Sequence, residues 1–195
     1  MRTDILRDRL GWIRALDYKK LILIALLSRL IFASVYDISV STTGRDVLLP
    51  DGKFYSMYGL YISLLASGYD KDSMPADALP PDAESRGLFL DILNKEGGKF
   101  PPVKDETDLW LYFMGFIYFL FGYFPLAVKI FNITLSILGA FLVFKIAKRR
   151  FGDLAANIFL VIALFLPTQA GYSITLSKDF VRMFFVYLTL WVIYG

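Results

Sequence analysis

Four apolar runs, at 21–36, 126–147, 154–168 and 180–195, divide this chain, and charged or turn-forming residues separate them. A soluble domain of 195 residues cannot bury that much unbroken apolar length around one core, whereas a bilayer accommodates it. Composition agrees: 56% of the residues are hydrophobic and 17% aromatic, beyond ordinary soluble usage. The expected fold is therefore all-α. It is a polytopic membrane helical bundle of about four transmembrane helices, with interfacial helices in a large first outer loop.

Charge placement orients the runs. Arg2, Arg7, Arg9, Arg14, Lys19 and Lys20 precede the first run, and Lys145, Lys148, Arg149 and Arg150 close the second, so both clusters belong on the cytoplasmic side. Residues 1–20 read as a cytoplasmic amphipathic leader or, equally, a solvated one. The first span, 21–36, has Arg29 at its middle, and no small-residue cleavage pattern follows, so the segment is retained. An outer loop is expected at 37–125, with thirteen acids against seven bases between Asp37 and Asp108.

Within that loop, apolar stretches near 52–66 and 109–124 are too short to cross about 30 Å of hydrocarbon and read as helices lying in the interface. Treating 109–124 as a span would move Lys145–Arg150 to the outside, so charge favours the interfacial reading. There follow a second span at 126–147, a cytoplasmic loop at 148–153, a third span at 154–168, an outer loop at 169–179 and a fourth span at 180–195. The stop at Gly195, directly after an apolar run, reads as the front part of a longer protein or a partner-dependent piece. The expected location is the cytoplasmic (inner) membrane, multi-pass, with the amino terminus cytoplasmic.

The chain has neither cysteine nor histidine, which removes thiolate nucleophiles, serine–histidine triads, imidazole bases and the common zinc sites. Acid–base work falls to Asp, Glu, Lys or Tyr. A metal would be a hard, oxygen-ligated ion such as magnesium or manganese. The net charge of +3 is small and sorted by segment, which indicates topology and not nucleic-acid binding.

Four places carry candidate chemistry. Asp51 opens the aromatic stretch Asp51-Gly52-Lys53-Phe54-Tyr55 in the outer loop; its carboxylate suits a proton acceptor or, more plainly, a helix N-cap. Asp179 lies next to Lys178 and close to Arg182 at an expected membrane boundary, a second acidic site with two cations suited to phosphate, or a locally paired cluster. Arg29 needs a partner, water or an anionic ligand, and its role reads as structural. Asp105, Glu106 and Asp108 could add a carboxylate, although a solvated acidic turn explains them better. Asn132-Ile133-Thr134 fits a glycosylation acceptor pattern, but its place inside an expected span makes the match a chance one.

The order of these features resembles a known family. Ser28-Arg29-Leu30 lies in a first span, Asp51 precedes aromatics in an outer loop, and Lys99-Phe100-Pro101-Pro102 precedes an aromatic helix. Lys145-Ile146-Ala147-Lys148-Arg149-Arg150-Phe151-Gly152 closes a span, and Leu166-Pro167, Gly171-Tyr172-Ser173 and Asp179 follow. The chain is similar to the amino-terminal half of GT-C membrane glycosyltransferases, which include protein O-mannosyltransferases, the lipid A aminoarabinose transferase and the oligosaccharyltransferase catalytic subunit. The resemblance implies inverting transfer of a sugar from a polyprenyl-phosphate donor to a glycan, lipid or protein acceptor on the outer face. It implies that Asp51 matches the essential aspartate and that Asp179 approximates the second acid; in physical terms Lys178, Arg182 or Arg29 would offset charge building on the leaving phosphate. Ser177-Lys178-Asp179 departs from the family's clustered acids, which favours a metal-free mechanism; no cofactor is assigned, and magnesium or manganese stays open. Expected partners are the donor, membrane lipid, the acceptor, and further subunits or a missing carboxy-terminal part. The rival reading is a non-catalytic membrane subunit or scaffold keeping the first spans. A transporter fragment is weaker, since no inverted repeat is visible.

Overall fold

The computed structural model describes residues 13, 16–43, 52–75, 78–80 and 82–194, with the backbone alone at 41–43 and 106. Among these residues the fold is all-helical and contains no strand. The helices are α1 (Tyr18–Thr43), α2 (Gly52–Ala66), α3 (Ala83–Glu96), α4 (Glu106–Phe121), α5 (Pro125–Phe165), α6 (Pro167–Ser173) and α7 (Asp179–Tyr194). Two of them, α1 over Tyr18–Val40 and α5, are long and apolar enough to cross a membrane. The chain divides into two compact units: a split unit, residues 1–42 with 130–195, and an inserted unit, residues 43–129.

In the split unit, α5 is interrupted at Gly152, whose φ of 83° and ψ of 179° suit a residue without a Cβ. The Arg29 side chain shows what that interruption does. Its two terminal nitrogens donate to Ser136 Oγ and to the Leu164 carbonyl, each at 2.8 Å. Along a straight helix those residues would stand about 42 Å apart, so the two halves of α5 must fold back on one another as an antiparallel hairpin. Lys148 and Asp153 pair at 2.8 Å across the bend, and this ion pair raises the Lys148 ammonium above its usual range. The expected loop at 148–153 is thus a break at one residue, with helix on both sides.

Contacts along the first half of α5 set the directions of its neighbours. Tyr18 stacks on Phe144 with ring centroids 5.3 Å apart, while Arg29 reaches Ser136, so α1 runs antiparallel to that half. Asn132 meets the turn before α7, the Tyr187 ring lies against Gly139, and Arg150 sits over the Tyr194 ring, so α7 runs parallel to it. Four helical segments therefore alternate in direction. Leu23, Ile24, Leu27, Ile31, Phe32, Val35 and Ile38 of α1 are all more than half exposed, a stripe that a helix in a water-soluble core would bury.

In the inserted unit, α2 packs against both α3 and α4, and Ser56 through Leu64 are buried without a break. The stretch expected to lie in the interface near 52–66 thus has its middle enclosed by other helices. The approach of α4 is close: a Cβ placed on Gly115 would lie 2.5 Å from Ile62 Cγ2. The helix expected at 109–124 runs instead from Glu106 to Phe121 and leaves Leu109, Phe116, Phe119, Leu120 and Phe121 exposed. At 16 residues it is about 24 Å long.

The ends of α3 and α4 are closed by polar groups. Asp82 accepts from the Ser85 N–H, and Gly97, at φ 65°, ends α3 by donating its N–H to the Leu93 carbonyl. Asp105 and Asp108 form a reciprocal capping box at the start of α4. The acidic turn at 105–108 is therefore a helix start. Sequence reading did not anticipate α3, although its caps and the spacing of Phe89, Ile92 and Leu93 were available as signals.

Candidate functional site

The corner at 173–182 joins α6 to α7 in the split unit. Backbone bonds from the Ile174 N–H to the Gly171 carbonyl and from the Thr175 N–H to the Tyr172 carbonyl close the end of α6. Ser173 through Ser177 are all buried. Asp179 then begins α7, where the partial positive charge of a helix start favours a carboxylate. Ser177 Oγ donates to Asp179 Oδ2 at 2.8 Å, and Arg182 approaches Asp179 Oδ1 at 3.5 Å. Both members of that pair are well exposed, so it is a loose surface contact. Asp179, Lys178 and Arg182 thus stand together within one turn. α1 runs toward this end of the split unit and α5 starts from it.

Arg29 lies deeper, 1% exposed. No carboxylate among the described residues pairs with it. What offsets its charge is the end of a helix: the second half of α5 stops at Phe165, and Leu164 belongs to its last turn, where carbonyls lack intrahelical donors and the dipole is negative. Arg29 Nε has no hydrogen-bond partner among the described residues. The side chain ties α1 to both halves of the hairpin, a structural role.

Asp51 lies outside the described residues; α2 begins at the next residue, Gly52. Along α2, Lys53 pairs with Glu84 at 2.6 Å, and Tyr58 Oη donates to Glu96 at 2.9 Å while accepting from Lys95 at 3.1 Å. Burial pushes the Tyr58 phenol upward, and the hydrogen bond to Tyr58 raises Lys95. Ser56, Tyr118 and Tyr123 share a hydroxyl cluster, with Ser56 Oγ 3.1 and 3.2 Å from the two phenol oxygens. Sequence reading missed both clusters, because their members are distant in the chain and only packing brings them together.

No group of three or more acids among the described residues could hold a metal ion. Asp179 has a hydroxyl and a guanidinium as neighbours, a set that does not fit the oxygen shell magnesium or manganese takes. Asn132 was also missed: Nδ2 donates to the Thr175 and Ser177 carbonyls at 2.9 Å each, from a residue that is fully buried. No family model, curated protein or solved structure matches the chain.

Proposed function

We propose that this chain acts in an inverting glycosyltransferase of the GT-C type, moving a sugar from a polyprenyl-phosphate donor to an acceptor at the outer face of the cytoplasmic membrane. In this reading the alternating segments of the split unit are four spans with the amino terminus in the cytoplasm. The exposed apolar face of α4 rests in the interface. The observation that supports the reading most is the corner at 173–182. It presents one acid and two cations from a buried turn, at the end of the split unit where α1 leaves and α5 enters.

The chemistry divides among the named residues. Asp51 takes the proton of the acceptor hydroxyl as its oxygen bonds to the anomeric carbon. The bond from that carbon to the donor phosphate oxygen breaks, and its electron pair leaves with polyprenyl phosphate. Lys178 and Arg182 offset the charge growing on that phosphate, and Arg29 adds its field from below without touching it. Asp179 stands beside Arg182 at this corner as the second acidic group.

Transfer of radiolabelled sugar from polyprenyl-phosphate donors, in membranes holding equal amounts of the intact gene product or its Asp51→Asn form, tests this. Wild-type activity that drops by at least about 100-fold in the variant is the expected result. Equal product from both forms, or none from either while the protein assembles into a stable complex, would move the reading to a non-catalytic membrane subunit.

A further inference from the structure

Asn132 sits in the interior of an apolar helix, where asparagine is an unfavourable residue. It is fully buried, and its two polar atoms are used unequally. Nδ2 donates to two carbonyls, those of Thr175 and Ser177, while Oδ1 has no partner among the described residues. Reversing the amide would aim an oxygen at two other oxygens, so the orientation is dictated by chemistry.

Those two carbonyls belong to the stretch between α6 and α7, which is not helical and whose backbone acceptors therefore need donors from elsewhere. Thr175 and Ser177 are themselves buried, so packed neighbours must supply those donors. The same stretch leads straight into α7: the Lys178 carbonyl accepts from the Val181 and Arg182 N–H groups, and Ser177 Oγ bonds to Asp179. Whatever holds Thr175 and Ser177 in place therefore sets the position of Lys178, Asp179 and Arg182.

We propose that Asn132 is the positioning residue of this corner: its amide pins the turn and thereby places Asp179, Lys178 and Arg182 for transfer, a role that rests on the glycosyltransferase reading. The pinning itself is independent of that reading and can be measured separately. The chain has no cysteine, so one introduced thiol gives an unmixed signal. Thr175→Cys places a reporter at a site that is 1% exposed, inside the pinned turn, and Leu160→Cys places one at a fully buried site in the second half of α5.

Full-length protein in membranes is labelled with a water-soluble maleimide. Asn132→Leu, which keeps the bulk and removes the donor, is expected to raise the labelling rate of Thr175→Cys about 100-fold, the population change that two lost buried hydrogen bonds produce. Asn132→Gln, which keeps the amide, brings the rate back toward wild type, and Leu160→Cys stays unlabelled throughout. An unchanged rate at Thr175→Cys overturns the proposal. Labelling of Leu160→Cys in the Asn132→Leu background also overturns it, because Asn132 would then be holding the whole helix pack.

The transfer assay carries the second half. Asn132→Leu is expected to lower kcat about tenfold with the donor KM unchanged, and Asn132→Gln to recover part of it. A turn that opens while kcat holds would remove Asn132 from the reaction. If the wild type transfers no sugar, the functional reading falls while the labelling still judges the pin.

Discussion

The two units solve the same problem, how to satisfy polar groups at helix ends, with opposite materials. In the inserted unit short carboxylates near the surface do it: Asp82 caps α3, and Asp105 with Asp108 caps α4. In the split unit the donors reach in from other helices: Arg29 closes the end of the α5 hairpin, and Asn132 serves the carbonyls ahead of α7. The difference follows from the surroundings. Where water reaches the helix end, a local cap adds to what solvent already offers; where it does not, the donor must come from a packed neighbour. The caps of α3 and α4 are thus local in sequence, whereas the Arg29 and Asn132 bonds join residues more than forty positions apart.

Three substitutions would break or sharpen this contrast. The largest effect is expected from Gly115→Val, since a Cβ there would lie 2.5 Å from Ile62 Cγ2 and 3.3 Å from the Gly59 carbonyl oxygen. Overpacking of this kind costs about 3 kcal/mol. Hydrogen exchange across 56–64 should accelerate roughly 100-fold while the split unit exchanges as before. Acceleration in both units would show that they do not fold independently.

Next in size is Arg29→Met, which retains the stem and removes the charge. With two hydrogen bonds and a favourable helix-end charge lost, the expected cost is about 2 kcal/mol, read as faster exchange at 160–166. A gain in stability instead would mean that the unpaired charge is a burden kept for another purpose.

The smallest effect belongs to Asp82. Its carboxyl is held below the usual range, first by the Ser85 backbone N–H, so its contribution is complete above about pH 4 and is lost as pH falls through the lowered folded value. An N-cap of this kind is worth about 1 kcal/mol. Asp82→Asn should keep α3 stable at neutral pH and flatten its acid sensitivity, measured as helix content or exchange between pH 5 and 2. A slope that persists in the variant would place the acid sensitivity elsewhere.

Much of the helix pattern was legible in the chain. The apolar runs announced α1, α5 and α7, and Gly152 marked the place where α5 turns back, because a residue free of a Cβ takes the φ that a tight reversal requires. The gap between Asp82 and Gly97 was readable as α3 from its caps, yet its modest apolar content and the prolines before it concealed the helix. Of the candidate site, the grouping of Lys178, Asp179 and Arg182 follows from adjacency in sequence and one helical turn. By itself, then, the sequence determined the helical class, the apolar character and the local caps, since each depends on residues within a few positions of one another. Only the tertiary structure decided that Arg29 closes the hairpin and that Asn132 holds the corner before α7. Those bonds cross distant stretches of chain, most of them from side chain to backbone, and a carbonyl left without a donor looks the same in sequence as one that has it.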